Sequence, residues 1–214
     1  MLIRINTIKS QKRFIFISNA KCASTSIEAV LEKYSHIVIK DPPYLKHMSY
    51  LEMVDNFDFL FSKSGFETKT FYKFAIIREP IDWIVSWFNY RSREELKNSA
   101  HKDRGTYLGN VTFDDYINRI EEDWVKNQSD RFIDRQGKNA MDFMIRYENL
   151  EQDFQYVMNQ IGIDEKIIIP HKNKSNNVRI TTKNISEKSI NKIKFYFKQD
   201  YNFIENLSKE RILT

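Results

Sequence analysis

Residues 14–31 have the sequence FIFISNAKCASTSIEAVL, which combines an apolar run, a polar segment and an amphipathic run. The apolar run at 14–17 is short and rich in β-forming residues, which predicts a strand buried on both faces. After the polar segment, apolar residues recur at the spacing of one helical face, at Ile27, Val30, Leu31 and Tyr34. The stretch therefore predicts a strand, a loop and a helix, with Ser24 or Thr25 capping the helix.

Strand and helix patterns alternate along the rest of the chain. Short apolar runs predict further strands at residues 36–40, 73–77 and 141–146. Apolar residues at helical spacing predict further helices over residues 81–88, 113–120, 154–161 and 190–197. This alternation is typical of an α/β fold with a mostly parallel central sheet flanked by helices.

Three residues mark the ends of predicted helices. Pro80 is placed to occupy the first turn of the helix that follows the third strand, a position where proline is favourable. Gly162 is expected to stop one helix and Ser186 to cap the last one. The polar stretches at 94–110 and 171–180 are predicted to be surface loops, where substrate contacts often lie.

The bulk composition fits one domain that binds an anionic ligand. The chain has 214 residues, of which 41% are apolar, enough for one sizeable core. Its net charge of +5 is compatible with a solvated basic surface or with ligands such as nucleotides, sulfate or acidic glycans. The chain has no long run of Lys or Arg, which argues against a nucleic acid polymer as partner.

The cysteine content and the N-terminal sequence restrict the compartment and the chemistry. Cys22 is the single cysteine, so neither an intramolecular disulfide nor a Cys-rich metal site can form, and no other metal-ligand spacing is evident. The apolar run at 14–17 is too short for a signal peptide or a membrane span. We therefore expect a soluble, cytoplasmic protein without a bound metal.

The loop at Lys21 has the features of a phosphate-binding loop. It joins a strand to a helix N-terminus, which offers unpaired backbone N–H groups and partial positive charge. Lys21 adds a full charge, and hydroxyl donors follow at Ser24, Thr25 and Ser26. The segment contains no glycine, so it is not the common nucleoside triphosphate loop. An ordinary capped helix with an exposed lysine remains the alternative.

A second candidate phosphate contact follows the third strand. Arg78 comes directly after the run at 73–77, and Ser86 lies eight positions later. Ligands of parallel sheets gather at the carboxyl ends of strands, and arginine suits bidentate phosphate recognition. The alternatives are a salt bridge from Arg78 to Glu79 or Asp82, and a Ser86 hydroxyl bonded to the preceding helical turn.

These residues resemble sulfotransferases that use 3′-phosphoadenosine 5′-phosphosulfate (PAPS). Residues 15–31 resemble the loop of that family that binds the 5′-phosphosulfate. Residues 75–91, AIIREPIDWIVSWFNYR, resemble the segment that binds the 3′-phosphate. The family commonly has a proline just before the lysine, where this chain has Asn19 and Ala20.

Two later segments resemble the carbohydrate O-sulfotransferase branch of that family. Residues 142–162 are similar to its strand–helix unit, and residues 170–175 resemble the loop that closes over the nucleotide. The resemblance covers about residues 14–204. It implies a P-loop-like three-layer sandwich and a single sulfotransferase domain over residues 1–214.

The resemblance also implies the substrates. PAPS would be the sulfuryl donor, adenosine 3′,5′-bisphosphate the product, and a hydroxyl group the acceptor. The branch favours a carbohydrate hydroxyl, although a small alcohol, a lipid or a tyrosine stays open. Neither the identity of the acceptor nor the oligomeric state follows from the sequence.

Residue roles carry over from the matching motifs. Lys21 would stabilise charge on the leaving 5′-phosphate, and Arg78 with Ser86 would hold the 3′-phosphate. Lys174 or Ser175 would clamp the nucleotide. The 5′-phosphate cradle would comprise Cys22, Ala23, Ser24, Thr25 and Ser26.

His47 is the candidate general base that deprotonates the acceptor hydroxyl. A histidine at a similar position serves as base in some relatives, and its ordinary pKa suits the task. A surface or structural histidine is the alternative, with three carboxylates as replacement bases, namely Glu52, Asp55 and Glu79. Trp87, beside Ser86, is a candidate to stack on adenine, although a core position is more common for such residues.

Two other functions stay open. A nucleotide or small-molecule kinase would need Mg²⁺ ligands and a glycine-rich loop, and neither is evident. A non-catalytic relative that binds the nucleotide would keep Lys21 and Arg78 and would not need His47.

Overall fold

We analysed a computed structural model, which describes residues 1–5, 11–98, 103–170 and 178–212, with side chains to residue 208. The described residues form two compact units. The first contains residues 1–77 and 128–170, and the second contains 78–127 and 178–212. Each unit is described by itself.

The first unit contains a five-stranded sheet in the order β3-β1-β2-β4-β5. The strands are β1 (Leu2–Arg4), β2 (Phe14–Ile17), β3 (Ile37–Val38), β4 (Tyr72–Ile77) and β5 (Phe143–Arg146). The neighbouring pairs β2–β4 and β4–β5 are parallel, whereas β1 is antiparallel to both β2 and β3. Four of the five strands therefore point the same way, and the predicted mostly parallel sheet is confirmed.

Nine helices are present in the described part of the chain. They are α1 (Ser24–Leu31), α2 (Pro43–Lys46), α3 (Tyr50–Asn56), α4 (Asp58–Phe61), α5 (Pro80–Arg91), α6 (Phe113–Asn118), α7 (Leu150–Gln160), α8 (Glu187–Tyr196) and α9 (Lys198–Ile212). None of the helices in these ranges is both long enough and apolar enough to cross a bilayer.

The two central strands of the sheet are buried because their side chains are apolar on both faces. Every residue of β2 is fully buried, and so are the residues of β4 from Phe74 to Ile77. The Phe74 ring lies 5.8 Å from the Phe14 ring and 5.3 Å from the Phe16 ring, measured between centroids. These aromatic contacts fix the two strands side by side in the core.

Helices of the first unit flank this sheet. Helix α7 packs against β5, and its buried face includes Phe154, Val157 and Met158. It ends before Gly162, whose φ of +77° lies in the left-handed region. The predicted stop at Gly162 is confirmed, because this backbone conformation costs glycine little.

The second unit is a cluster of helices around aromatic side chains. Pro80 occupies the first turn of α5, as predicted, and the side chain of Glu79 caps that helix. The Trp83 ring packs edge-on against Phe197, and the Phe88 ring packs edge-on against Phe113. The contacts of α5 and α6 with α8 form the core of this unit.

Several predicted boundaries are wrong. The cap position of α1 is Ala23, and no side chain caps this helix, because Ser24 already lies inside its first turn. The strand predicted at 36–40 is limited to Ile37–Val38, which pairs with β1 at the edge of the sheet. Two elements have no predicted counterpart: β1, whose three residues are too few for a pattern, and α9, which directly follows the helix predicted to be the last.

We expect Phe74→Ala to lower the free energy of unfolding by about 3–5 kcal/mol, because it leaves a cavity between two buried strands. Urea denaturation followed by circular dichroism measures this change. Phe59→Ala is the matched control, since the Phe59 side chain is 67% exposed; its effect should stay within about 0.5 kcal/mol. Equal effects of the two variants would contradict this account of the core.

Candidate functional site

The loop after β2 contains two residues with left-handed backbone. Lys21 has a φ of +62° and Ala23 a φ of +53°, although neither is glycine. Such conformations cost of order 1–3 kcal/mol each and are concentrated at ligand sites. They place the chain in a tight turn between the carboxyl end of β2 and the first turn of α1, the part of a helix that attracts anions.

The side chains of the predicted phosphate cradle differ in exposure. Lys21, Ala23 and Thr25 are half-buried, whereas Ser24 and Ser26 are buried. The Ser26 N–H donates to the Ala23 carbonyl at 2.9 Å. Of the three predicted hydroxyl donors, Thr25 is therefore the most accessible to a ligand.

Lys46 supplies a second ammonium group beside this loop. Its Nζ donates to Thr25 Oγ1 at 3.3 Å and lies 2.9 Å from the Glu28 carboxylate. Lys46 is not among the predicted site residues, because no local sequence pattern relates it to α1. The one available indication was that Lys46 directly precedes His47, which is a predicted site residue.

A buried polar network holds the loop against the sheet. The Asn19 side-chain amide, fully buried, donates to the Ile76 carbonyl at 3.2 Å and to Gln128 Oε1 at 3.0 Å. It also lies 3.3 Å from the sulfur of Cys22, which is fully buried too. Cys22 thus takes part in packing beneath the turn, and a buried thiol of this kind is chemically inert.

The structure places His47 next to the start of this loop. His47 Nδ1 lies 3.1 Å from the Ser18 carbonyl oxygen and 3.3 Å from Ser18 Oγ. A carbonyl oxygen can only accept, so we assign the proton to Nδ1, which leaves the Nε2 lone pair available to accept another proton. Burial, together with the charges of Lys46 and Arg131, lowers the pKa of His47 to about 3, although the hydrogen bond to Ser18 acts in the opposite direction. The imidazole is therefore neutral at pH 7.

Arg131 contacts the same histidine from a distant part of the sequence. Its Nη1 donates to the His47 carbonyl oxygen across 84 positions of sequence. Burial lowers the pKa of the Arg131 guanidinium. No motif marks this arginine in the sequence, so only the structure could bring it to the site.

Arg78 and Ser86 lie in the second unit. Arg78 is the residue after β4, and Ser86 is half-buried in the middle of α5. Glu79, an alternative partner of Arg78, accepts from the Asp82 N–H at 2.8 Å and from the Tyr201 hydroxyl at 2.6 Å. The roles of Arg78 and Ser86 remain predictions, and Lys174 and Ser175 lie outside the described residues.

Trp87 belongs to the core of the second unit. It is 9% exposed, and its ring packs edge-on against Trp83, Tyr90 and Trp124. This packing favours the core position over the alternative of stacking on adenine.

The three carboxylates proposed as alternative bases are engaged elsewhere. Glu52 accepts from the Ser49 N–H at 2.6 Å in the capping box of α3, and Glu79 caps α5. Asp55 pairs with Arg135 at 2.5 Å.

In the described ranges, no group of three or more His, Cys, Asp or Glu side chains could hold a metal ion.

The pKa of His47 predicts how stability depends on pH. In the unfolded chain a histidine has a pKa of about 6.5, whereas His47 in the folded protein has a pKa of about 3. Between these values the unfolded state binds a proton that the folded state does not, so acidification lowers the free energy of unfolding. His47→Gln should show a shallower loss of stability between about pH 6.5 and about pH 4, measured by urea denaturation. Identical pH dependence in the two proteins would contradict the buried, neutral imidazole.

Comparison with known proteins supports one assignment. No curated protein and no solved structure matches the sequence significantly. The model of the Sulfotransferase family matches residues 6–204, nearly the whole chain. That range includes Lys21 and His47, and it extends through both compact units. The chain therefore belongs to the sulfotransferase family.

Proposed function

We propose that this protein transfers a sulfuryl group from PAPS to an acceptor hydroxyl, with a carbohydrate as the favoured acceptor. The family match carries the proposal, because it covers both the loop at Lys21 and His47, whose Nδ1 bonds to the Ser18 carbonyl. We also propose that residues 1–214 form a single sulfotransferase domain with a P-loop-like core, since the match extends through both units.

The loop supplies the donor site in this proposal. Lys21 and the first-turn amides of α1 would bind the 5′-phosphate, where the helix dipole favours negative charge. Thr25 is accessible enough to add a hydroxyl donor. Arg78 and Ser86 would hold the 3′-phosphate, and Lys174 or Ser175 would cover the nucleotide.

The chemistry is a displacement at sulfur. The acceptor oxygen forms a bond to sulfur while its proton passes to His47 Nε2. The bond between sulfur and the bridging oxygen of the 5′-phosphate breaks, which releases adenosine 3′,5′-bisphosphate. Lys21 would offset the negative charge that develops on that oxygen, an electrostatic role of the kind that dominates phosphoryl transfer.

The low pKa of His47 sets a requirement on this mechanism. A base with a pKa near 3 accepts a proton weakly at pH 7, whereas efficient general bases have a pKa near the working pH. Negative charge close to the imidazole raises its pKa. The anionic donor would therefore strengthen the base when it binds.

The same low pKa favours a second candidate function. A relative that binds the nucleotide without catalysis would need Lys21 and would not need His47 as a base. Measurements of binding and of turnover separate the two functions.

We expect Lys21→Ala to reduce sulfuryl transfer by about 10²–10³-fold, because it removes the charge that stabilises the leaving oxygen. The measurement is transfer of labelled sulfate from PAPS to a panel of glycan acceptors. Thermal shift should show that adenosine 3′,5′-bisphosphate stabilises the wild-type protein more than the variant.

Lys33→Ala is the matched control for this variant. Lys33 is an exposed lysine that pairs with Glu165 at 2.9 Å, away from the loop. Its loss should leave transfer and binding unchanged. Failure of adenosine 3′,5′-bisphosphate to stabilise the wild-type protein would contradict the donor assignment, and full activity of Lys21→Ala would contradict the mechanism.

We expect His47→Gln to lower kcat by about 10²–10⁴-fold while adenosine 3′,5′-bisphosphate still binds, because only proton transfer is lost. The measurement is steady-state turnover beside a thermal shift with the nucleotide. Unchanged turnover would remove His47 as the base, and absence of turnover in the wild-type protein would support the non-catalytic relative.

A further inference from the structure

Arg131 is one of several described arginines that donate to a backbone carbonyl without forming an ion pair, as Arg4 does with the Tyr34 carbonyl. The Arg131 Nη1 donates to the His47 carbonyl, but no carboxylate of the described residues lies within ion-pairing distance of its guanidinium. By contrast, Arg91 pairs with Asp123 at 2.5 Å in the second unit, and Arg135 pairs with Asp55 at 2.5 Å. Arg131 is half-buried, and a partly desolvated cation gains from an anionic partner.

The remaining donors of Arg131 are accessible. No nitrogen of its guanidinium is both buried and without a hydrogen-bond partner, so the donors that do not contact His47 reach solvent. Glu52 and Asp130 favour its charge from a longer distance, and Glu52 is already held by the capping box of α3. The guanidinium therefore has donors that a ligand could use.

The location of this charge connects it with the proposed reaction. Arg131 contacts the backbone of His47, whose imidazole bonds to Ser18 three residues before Lys21. The Cys22 thiol, inside the loop, is also close enough to interact electrostatically with the guanidinium. Arg131 thus lies at the same end of β2 as the loop and the candidate base.

We propose that Arg131 binds an oxyanion beside His47. The oxyanion is either the sulfuryl group of the donor or an acidic group of the acceptor glycan. A guanidinium recognises both through paired N–H···O bonds, which a lysine cannot reproduce in full. The choice between these two sources rests on the proposed function, whereas the anion site itself does not.

Binding of an anion here would also act on the base. The positive charge of Arg131 opposes protonation of His47, and a bound oxyanion would cancel part of that opposition. His47 would then accept a proton more readily when the anion is present than when the site lacks it. Arg131 would in this way couple proton transfer to occupancy of the site.

The first test uses inorganic sulfate as the probe. Sulfate titrations of the full chain, followed by calorimetry, should show about tenfold weaker binding to Arg131→Gln than to wild type. Arg131→Lys keeps the charge and should fall between the two. Arg135→Gln, which removes an exposed arginine four positions away, should bind sulfate like wild type.

Two outcomes of this titration overturn the proposal. Wild-type affinity in Arg131→Gln would exclude an anion contact. Equal losses in Arg131→Gln and Arg131→Lys, with a matching loss of thermal stability in both, would reduce Arg131 to a structural support of His47.

The second test separates the two sources of the anion. If Arg131→Gln weakens binding of PAPS but not of adenosine 3′,5′-bisphosphate, the anion is the sulfuryl group. If it raises KM for an acidic glycan but not for a neutral one, the anion belongs to the acceptor. A fall in kcat alone, with every affinity unchanged, would overturn the proposal.

Failure of the proposed function gives a different pattern. In that case adenosine 3′,5′-bisphosphate would not bind to the wild-type protein, whereas sulfate binding would still depend on Arg131. The double variant Lys21→Ala/Arg131→Gln helps to tell these results apart. Lys21→Ala should remove nucleotide binding, and adding Arg131→Gln to it should weaken sulfate binding by the same factor as in the wild-type protein.

Discussion

Parallel pairing between β2 and β4 is the constraint on which the candidate site depends. The pairing places the carboxyl ends of two buried strands side by side, with Ile17 opposite Ala75. Two residues beyond β2, the Asn19 amide bonds to the Ile76 carbonyl and so ties the loop to the end of β4. The left-handed turns at Lys21 and Ala23 can persist because this anchoring, together with α1, fixes the chain on both sides of them.

Electrostatic balance around the loop is uneven. Lys46 is offset by the buried carboxylate of Glu28, whereas Arg131 has no comparable partner in the described part of the chain. Both cations lower the pKa of His47 beyond the effect of burial. His47 is therefore a neutral imidazole in a positive environment, and negative charge placed close to it would raise its pKa.

The aromatic residues fill the cores of the two units, whereas the polar residues of the loop form the candidate site. Phe14, Phe16 and Phe74 fill the sheet of the first unit, and Trp83, Phe88 and Phe197 fill the helical core of the second. This explains the high aromatic content without assigning these rings to a ligand. The polar groups that matter for chemistry lie instead at the strand end and in the adjoining loop.

Local patterns were sufficient to predict most of the fold and the position of part of the candidate site. Short-range features of the sequence were enough to predict the apolar runs at β2 and β4, the stop at Gly162 and the lysine between strand and helix. The strand β1 could not be predicted, because three residues are too few to show a hydrophobic period and because the strand forms only by pairing in the sheet. The contact of His47 with Ser18, the support of Asn19 by Gln128 and the presence of Arg131 were decided by the tertiary structure. These contacts join residues 29 to 109 positions apart in the sequence. Such hydrogen bonds depend on the tertiary fold, and the spacing of residues within a short segment cannot predict them.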